Sequence, residues 1–239
     1  MLPPIGSGAR PLTHQNLLLG SLSAADLSAL TPHLRPVTLE HKRVLYDTGD
    51  RVHSVYFPTT SVISLVVGLS TGELVEAAMV GKDGVVGAGH ALDGKISLNR
   101  SIVQLAGEAA ECSVEALMDA AFMRRSLMSA LIRNEQIVFA QAQQSVACMA
   151  AHDTQARLCR WLLRARDLSG RDDLHFTQEF LAEMLGVQRT SVSPVAHTLQ
   201  QAGMIKYTRG RIDIINVEAL RDSACECYES IKLHYSRSR

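Results

Sequence analysis

Six side chains with hydrogen-bonding heads crowd one short stretch of this chain: Gln188, Arg189, Thr190, Ser191, Ser193 and His197. Between them Val192, Val195, Ala196 and Leu199 fall at helical spacing, so residues 188–200 read as an amphipathic helix with its polar groups outward. Amide, guanidinium and hydroxyl groups on an exposed helix face are the types that read base edges or grip phosphates. Arg189 is the leading candidate for a base contact, because its fork matches the O6 and N7 atoms of guanine. Gln188 and Thr190 are candidates for base or phosphate contact, and Ser191 and Thr177 for phosphate. Catalysis is not indicated. The chain shows no Ser-His-Asp arrangement, complete metal motif or phosphate loop, and the adjacent His152 and Asp153 read as a helix junction.

A reading helix needs a scaffold, and the flanking residues supply one. Thr177 is suited to cap a short helix whose buried face is Phe180, Leu181 and Leu185. Gly186 permits a tight turn, and Val187 plugs the gap between the two helices. After Gly203, residues 204–207 and 211–215 read as two short strands joined through Thr208-Arg209-Gly210. Lys206, Arg209 and Arg211 then sit on a hairpin that meets the phosphate backbone. The whole chain balances 24 basic against 24 acidic residues, yet Met184 to Ile212 contains no acid. That local positive face fits double-stranded DNA as the partner. Pro194 falls inside the reading helix, where it removes one amide donor and favours a bend.

Upstream the patterning changes twice. Residues 17–34 have helical spacing, with Ser23 and Asp26 placed as a capping box for a helix starting at Ala24. From Val37 onward, short β-branched and aromatic runs alternate with turn signals, and residues 101–118 continue that pattern, which predicts a compact β-barrel or jelly roll. Helix returns near Asp119 and runs long. Leu127, Leu131, Asn134, Val138, Gln141 and Ser145 fall on or beside one stripe at heptad-like spacing, which predicts a seam for a second copy of the chain. Packing of the same stripe on the β-domain is the alternative. A further helix from Asp153 carries Leu158, Trp161, Leu162 and Ala165 on one face and ends before Ser169-Gly170, with residues 171–173 as a linker or surface turn. The tail from Val217 reads as another helix packed near the wing.

These patterns predict an α+β chain: a β-domain with an N-terminal helix over 1–118, a long helix over 119–152, and a winged helix over 153–239. Apolar residues make up 46% of the 239, and no apolar run is long enough to cross a bilayer, so no membrane partner is expected. The first 16 residues carry one basic residue and no apolar core, unlike a secretory signal, and the cytoplasm is the expected location. Five cysteines, at 112, 148, 159, 225 and 227, read as reduced thiols. Cys225 and Cys227 alone are two ligands short of a tetrahedral centre, so no metal site is expected.

The stretch FTQEFLAEMLGVQRTSVSPVAHTLQQAGMIKYTRGRIDI at 176–214, together with the β-rich and long-helix patterns before it, resembles the Crp/Fnr family of bacterial transcription regulators. The resemblance implies a β-roll (double-stranded β-helix) like cyclic-nucleotide-binding domains, a long dimerisation helix and a winged helix-turn-helix. It further implies a homodimer on a palindromic operator, with RNA polymerase as a candidate partner. The family's base-reading arginine falls on Arg189. Thr190 and Pro194 depart from the family's common pattern, so the operator is expected to differ from the best-known one. In the β-domain, Gly87-Ala88-Gly89 keeps only the glycine of the family's phosphate cassette, with Ala88 where a glutamate holds the ribose. Gly87, Arg100 and Ser101 are the candidate ligand-binding residues. Classical cAMP binding is not expected and no cofactor is predicted, although Arg100 leaves an anion or nucleotide open. No cysteine precedes Cys112, which speaks against an N-terminal iron-sulfur sensor, while His33, His41, His53 and His90 leave a haem ligand open. The runner-up reading is a cyclic-nucleotide or other small-ligand module whose wing contacts protein or RNA.

Overall fold

The computed structural model describes residues 15–237, so the reading of the N-terminus as unlike a secretory signal falls largely outside the described residues. The N-terminal helical run divides into α1 (Leu17–Ser21) and α2 (Ala24–Leu30). Ser23 caps α2 as its sequence demands: its hydroxyl accepts from the Asp26 amide and donates to the Asp26 carboxylate. Seven strands follow: β1 (Arg35–Leu39), β2 (Val44–Tyr46), β3 (Ser54–Pro58), β4 (Val62–Gly68), β5 (Leu74–Val80), β6 (Arg100–Leu105) and β7 (Gly107–Ser113). A short helix, α3 (Ala88–Leu92), lies between β5 and β6. They form two antiparallel sheets, in the orders β1-β7-β3 and β2-β6-β4-β5. Inward-facing Leu39, Val55, Phe57, Ile63, Val80 and Val103 fill one core between them.

Helix resumes earlier than the sequence pattern suggests. Ser113 accepts from the Ala116 amide and starts α4 (Val114–Met123), with Glu115 in its first turn. The capping serine and the acid after it are a start signal hidden behind the preceding strand-like run. The chain breaks at Arg124, which is extended, and continues as α5 (Arg125–Ala151), the longest helix among the described residues. A single helix from Asp119 is therefore corrected to two.

The proposed seam on α5 is corrected as well. Leu127 and Leu131 are buried in the β-domain core, and Val138 packs half-buried against it. Asn134 accepts from the Val85 amide at 3.2 Å and donates to the Val85 carbonyl at 3.1 Å. Gln141 donates to the Met79 carbonyl at 3.2 Å, and Ser145 is buried. These six residues face their own β-domain rather than a partner. The exposed stripe lies one residue further on, at Ile132 (47% exposed), Phe139 (65%) and Val146 (69%). Both stripes repeat every seven residues, so period alone does not tell the intramolecular face from the free one.

After Asp153 caps it, α6 (Thr154–Ser169) runs through the middle of the molecule, and Leu158, Trp161, Leu162, Ala165 and Leu168 are all buried. Residues 171–173 are only partly a linker, because β8 (Asp173–Leu174) pairs with a later strand. Two buried contacts bind α6 to the β-domain. Arg164 forms a 2.6 Å ion pair with Asp83, and Trp161 donates to the Glu76 carboxylate at 3.0 Å. Trp161 also packs edge-on against Phe176, with ring centroids 4.8 Å apart, and Phe176 stacks on Phe180 at 5.6 Å.

Removing one partner of a buried pair strands the other charge. Asp83→Ala is expected to cost about 3–5 kcal/mol, read as a lower urea midpoint, whereas a surface pair such as Arg171–Asp173 should cost under about 1 kcal/mol when broken. Burial pushes the Glu76 carboxyl up to about 7, against hydrogen bonds from Ser64 and Trp161 that favour its charge. A raised carboxyl holds its proton in the folded state, so stability present below the unfolded value falls as pH rises toward 7. Between pH 5 and 8 the native chain should lose about 2–3 kcal/mol more than Glu76→Gln does. Equal losses in urea titrations at the two pH values would discount the buried acid.

Candidate nucleic-acid interface

The reading surface is built from two helices and a hairpin. Thr177 accepts from the Phe180 amide at 3.1 Å and starts α7 (Gln178–Leu185). Phe180, Leu181, Met184 and Leu185 bury the inner face of that helix. Gly186 ends it in the left-handed region at φ 61, a conformation a side chain would strain. Its amide returns to the carbonyls of Ala182 and Glu183.

Gln188 then stands at the N-cap of α8 (Arg189–Gln201), in extended conformation and with no side-chain capping bond. Val192, Ala196 and Leu199 are buried, and Val195 is half-buried. Pro194 lies on the exposed face inside α8, and the helix runs through it. In the second turn of α8, the proline lacks the amide that would return to Thr190.

Gln188, Arg189, Thr190, Ser191 and His197 are all exposed on α8 or at its cap. Ser193 differs. It is half-buried and its hydroxyl donates to Gln178 Oε1 at 2.6 Å, which clamps α8 to α7. Its place among outward-reading groups is therefore corrected to a positioning contact. Gln178 is the partner that sequence reading missed; its position directly after the Thr177 cap is the only cue. Gln200 is a second such residue, since its Oε1 accepts from the Tyr207 amide at 2.8 Å and fixes the end of α8 to the hairpin. Arg157, buried on α6, donates to the Leu185 carbonyl and so closes the C-terminal end of α7.

The hairpin consists of β9 (Ile205–Thr208) and β10 (Arg211–Ile214), with β8 on the far side of β10. Lys206 and Arg209 are exposed and make no ion pair among the described residues. Arg211 is exposed but ion-paired to Asp213 at 2.8 Å, so its charge is shared with an acid just outside the acid-free stretch. Arg189 is likewise exposed and without an ion pair among the described residues. The arrangement gathers amide, hydroxyl and guanidinium donors on one helix and two free cations on the adjoining hairpin. Chemically that is a surface for an anionic polymer with readable hydrogen-bonding edges. The turn between β4 and β5 closes a groove beside it, where Leu74 and Val75 face Gly186, Gln188 and Arg189.

The candidate ligand residues of the β-domain do not come together as an open anion site. Arg100 makes two hydrogen bonds to Asp47, at 2.5 and 3.1 Å. Gly87 sits at φ 90 against the Tyr46 ring, and a Cβ there would lie 2.6 Å from the Tyr46 hydroxyl. Ser101 is buried. An arginine already held by a carboxylate is a weaker anion ligand than a free one.

The tail forms α9 (Val217–Asp222) and α10 (Cys227–Arg237), two helices where one was expected. Tyr235 of α10 contacts Gln141 of α5 at 3.3 Å, and Arg164 of α6 lies over its ring at 4.3 Å. The expected packing beside the wing thus holds for α9, whose Leu220 joins the winged-helix core, while α10 lies on α5 and α6.

Residues 156–223 match the family model described as a Crp-like helix-turn-helix domain. A global nitrogen regulator from Synechocystis is 22% identical over 192 residues, covering 77% of this chain and 85% of that protein. Among solved structures, a CRP-family transcriptional regulator from Thermus thermophilus superposes with a TM-score of 0.65 at 22% identity, over 79% of this chain and 96% of that one. A second regulator from the same organism, of the CRP/FNR family, superposes with a TM-score of 0.64 at 18% identity, over 80% and 98%. At such identities the structural likeness is one of fold. No helix among the described residues is long and apolar enough to cross a membrane. Residues 156–223 thus form a Crp-like helix-turn-helix domain, and the chain shares the fold of these transcription regulators along most of its length.

Proposed function

We propose that the chain acts in the cytoplasm as a homodimer whose two α8 helices enter successive major grooves of a palindromic operator. The carrying observation is the continuous exposed surface of Gln188, Arg189, Thr190, Ser191 and His197 with Lys206 and Arg209 alongside. Arg189 reads a base, the neighbouring groups on α8 and Thr177 hold phosphate or base edges, and Lys206 and Arg209 hold phosphate. Arg211 contributes less, because Asp213 already neutralises it. Two-fold pairing places the half-sites about one helical turn, roughly 34 Å, apart.

The division of labour follows the three regions: β-domain, long helix and winged helix. Pairing runs along the exposed stripe of Ile132, Phe139 and Val146 on α5, with half-buried Ala142 and Met149 in the alternate heptad places. Five apolar groups at this spacing make a coiled-coil seam in water. The Asp47–Arg100 pair and the Tyr46 ring against Gly87 support a β-domain that works without a classical cyclic nucleotide. RNA polymerase is the partner through which a bound dimer would act on transcription.

Selection of bound duplexes from a random pool should give a palindrome, and Arg189→Ala should lose about 1–3 kcal/mol of discrimination at one base pair in each half-site. Unchanged discrimination there would remove Arg189 from base reading. Lys206→Ala and Arg209→Ala should weaken all sequences alike and each lower the salt slope of binding by about 1. Sedimentation tests the seam. Phe139→Glu combined with Val146→Glu should give a folded monomer, whereas Leu131→Ala should keep the dimer and cost about 2–5 kcal/mol of folding stability. A double variant that still sediments as a dimer would place pairing elsewhere.

A further inference from the structure

Three of the five cysteines meet at one place. Cys148 lies in the last turn of α5, and His152, four residues on, caps that helix on the same face. Cys225 sits in the turn that leads into α10 and Cys227 is the first residue of that helix, 73 to 79 residues further along the chain. The three Sγ atoms and a ring nitrogen of His152 all lie within 4.8 Å of one another. Cys148 Sγ is 3.5 Å from Cys225 Sγ, and Cys227 Sγ is 3.6 Å from His152 Nδ1.

These separations select among the chemistries of a thiol cluster. A disulfide needs its sulfurs at about 2.05 Å, so no pair here is bonded, and all are free thiols. In a tetrahedral centre with Zn–S near 2.3 Å and Zn–N near 2.0–2.1 Å, neighbouring ligand atoms lie roughly 3.5–3.8 Å apart. Both measured edges fall at that spacing. Three thiolates and one imidazole are a donor set of structural zinc centres, and soft sulfur ligands exclude magnesium or calcium.

The surroundings fit the same role. The Glu226 carboxylate lies 3.2 Å from His152 Nε2, which leaves Nδ1 as the nitrogen facing the thiols. A carboxylate on the far nitrogen is the outer-shell arrangement that orients a ligating histidine. Gln144 Nε2 donates to Cys227 Sγ at 3.0 Å. Cys148, Cys225 and Cys227 are buried, and His152 is the ligand with a solvent-facing edge, which leaves an approach for an ion. Three thiolates around a divalent ion leave one net negative charge, and the buried Arg157 and Arg160 stand near enough to interact with the thiols electrostatically.

We propose that Cys148, His152, Cys225 and Cys227 form a four-coordinate zinc site that fastens the C-terminal helix α10 to the joint between α5 and α6. Binding releases the protons of the three thiols to solvent and changes no oxidation state. In this site the two ligands that Cys225 and Cys227 lack by themselves come from the end of the long helix. Because ligands from distant segments are brought together only in the folded chain, the ion stabilises that state.

Cobalt(II) is the probe. Full-length protein, reduced and freed of metal under nitrogen, should take up one Co2+ per chain. It should show the intense visible bands of tetrahedral cobalt and a thiolate-to-cobalt charge-transfer band, and added Zn2+ should bleach both. Cys148→Ser and Cys225→Ser should abolish the charge-transfer signal or sharply weaken it, while Cys112→Ser and Cys159→Ser should leave it intact. Glu226→Gln keeps all four ligands and should weaken cobalt binding by about 10- to 100-fold, with unchanged circular dichroism. Weak octahedral bands, or a tetrahedral signal that survives the combined Cys225→Ser and Cys227→Ser changes, would overturn the proposal. So would a Cys148–Cys225 disulfide in freshly purified protein whose reduced form refuses the metal.

Discussion

The ion pair between Arg164 and Asp83 is the constraint around which the molecule is arranged. Both side chains are more than nine-tenths buried, so neither tolerates the loss of the other. Asp83 belongs to the turn after β5, and Arg164 to the third turn of α6. Holding them together fixes the register of α6 on the β-domain. Trp161, one turn earlier, then meets Glu76, and Arg157, one turn earlier again, meets the end of α7. The same guanidinium lies over Tyr235, so the C-terminal helix is referred to the same point.

From that register the reading surface follows by short steps. Arg157 closes α7, Gly186 turns the chain, and the Ser193–Gln178 bond sets α8 against α7. Gln200 then ties the end of α8 to the hairpin. Exposed groups on α8 are held by bonds on its inner side and at its end, and their own heads stay free for a partner. This separation explains why a serine on the reading helix faces inward although its residue type suits DNA contact.

The long helix shows how far a periodic pattern reaches. Two heptad stripes run side by side along α5, one through Leu131, Val138 and Ser145 and one through Ile132, Phe139 and Val146. They are separated by one residue, about 100° around the helix axis. The first carries amides that find carbonyls on the β-domain, at Val85 and Met79. Asn134 and Gln141 look like polar residues of a dimer seam, yet here they satisfy backbone groups of Val85, in the turn after β5, and of Met79, near the end of β5. Only the backbone each amide meets distinguishes the two uses.

Local rules were enough for much of this protein. The caps at Ser23, Asp153 and Thr177, the left-handed turn at Gly186, and the alternation between Ile205 and Ile214 depend on residues a few positions apart, so they are legible without any tertiary contact. The α+β class and the winged helix-turn-helix follow from those local patterns in their order. What the tertiary structure decided is every pairing across the chain: which face of α5 is free, that Arg100 answers Asp47, that β8 joins the hairpin, and that Cys148 and His152 stand opposite Cys225 and Cys227. Hydrophobic and helical periods specify a face but not what covers it, because burial is non-directional. Partners far apart in the chain are chosen by the packing of whole elements, and that choice leaves no mark on either residue's neighbours in sequence.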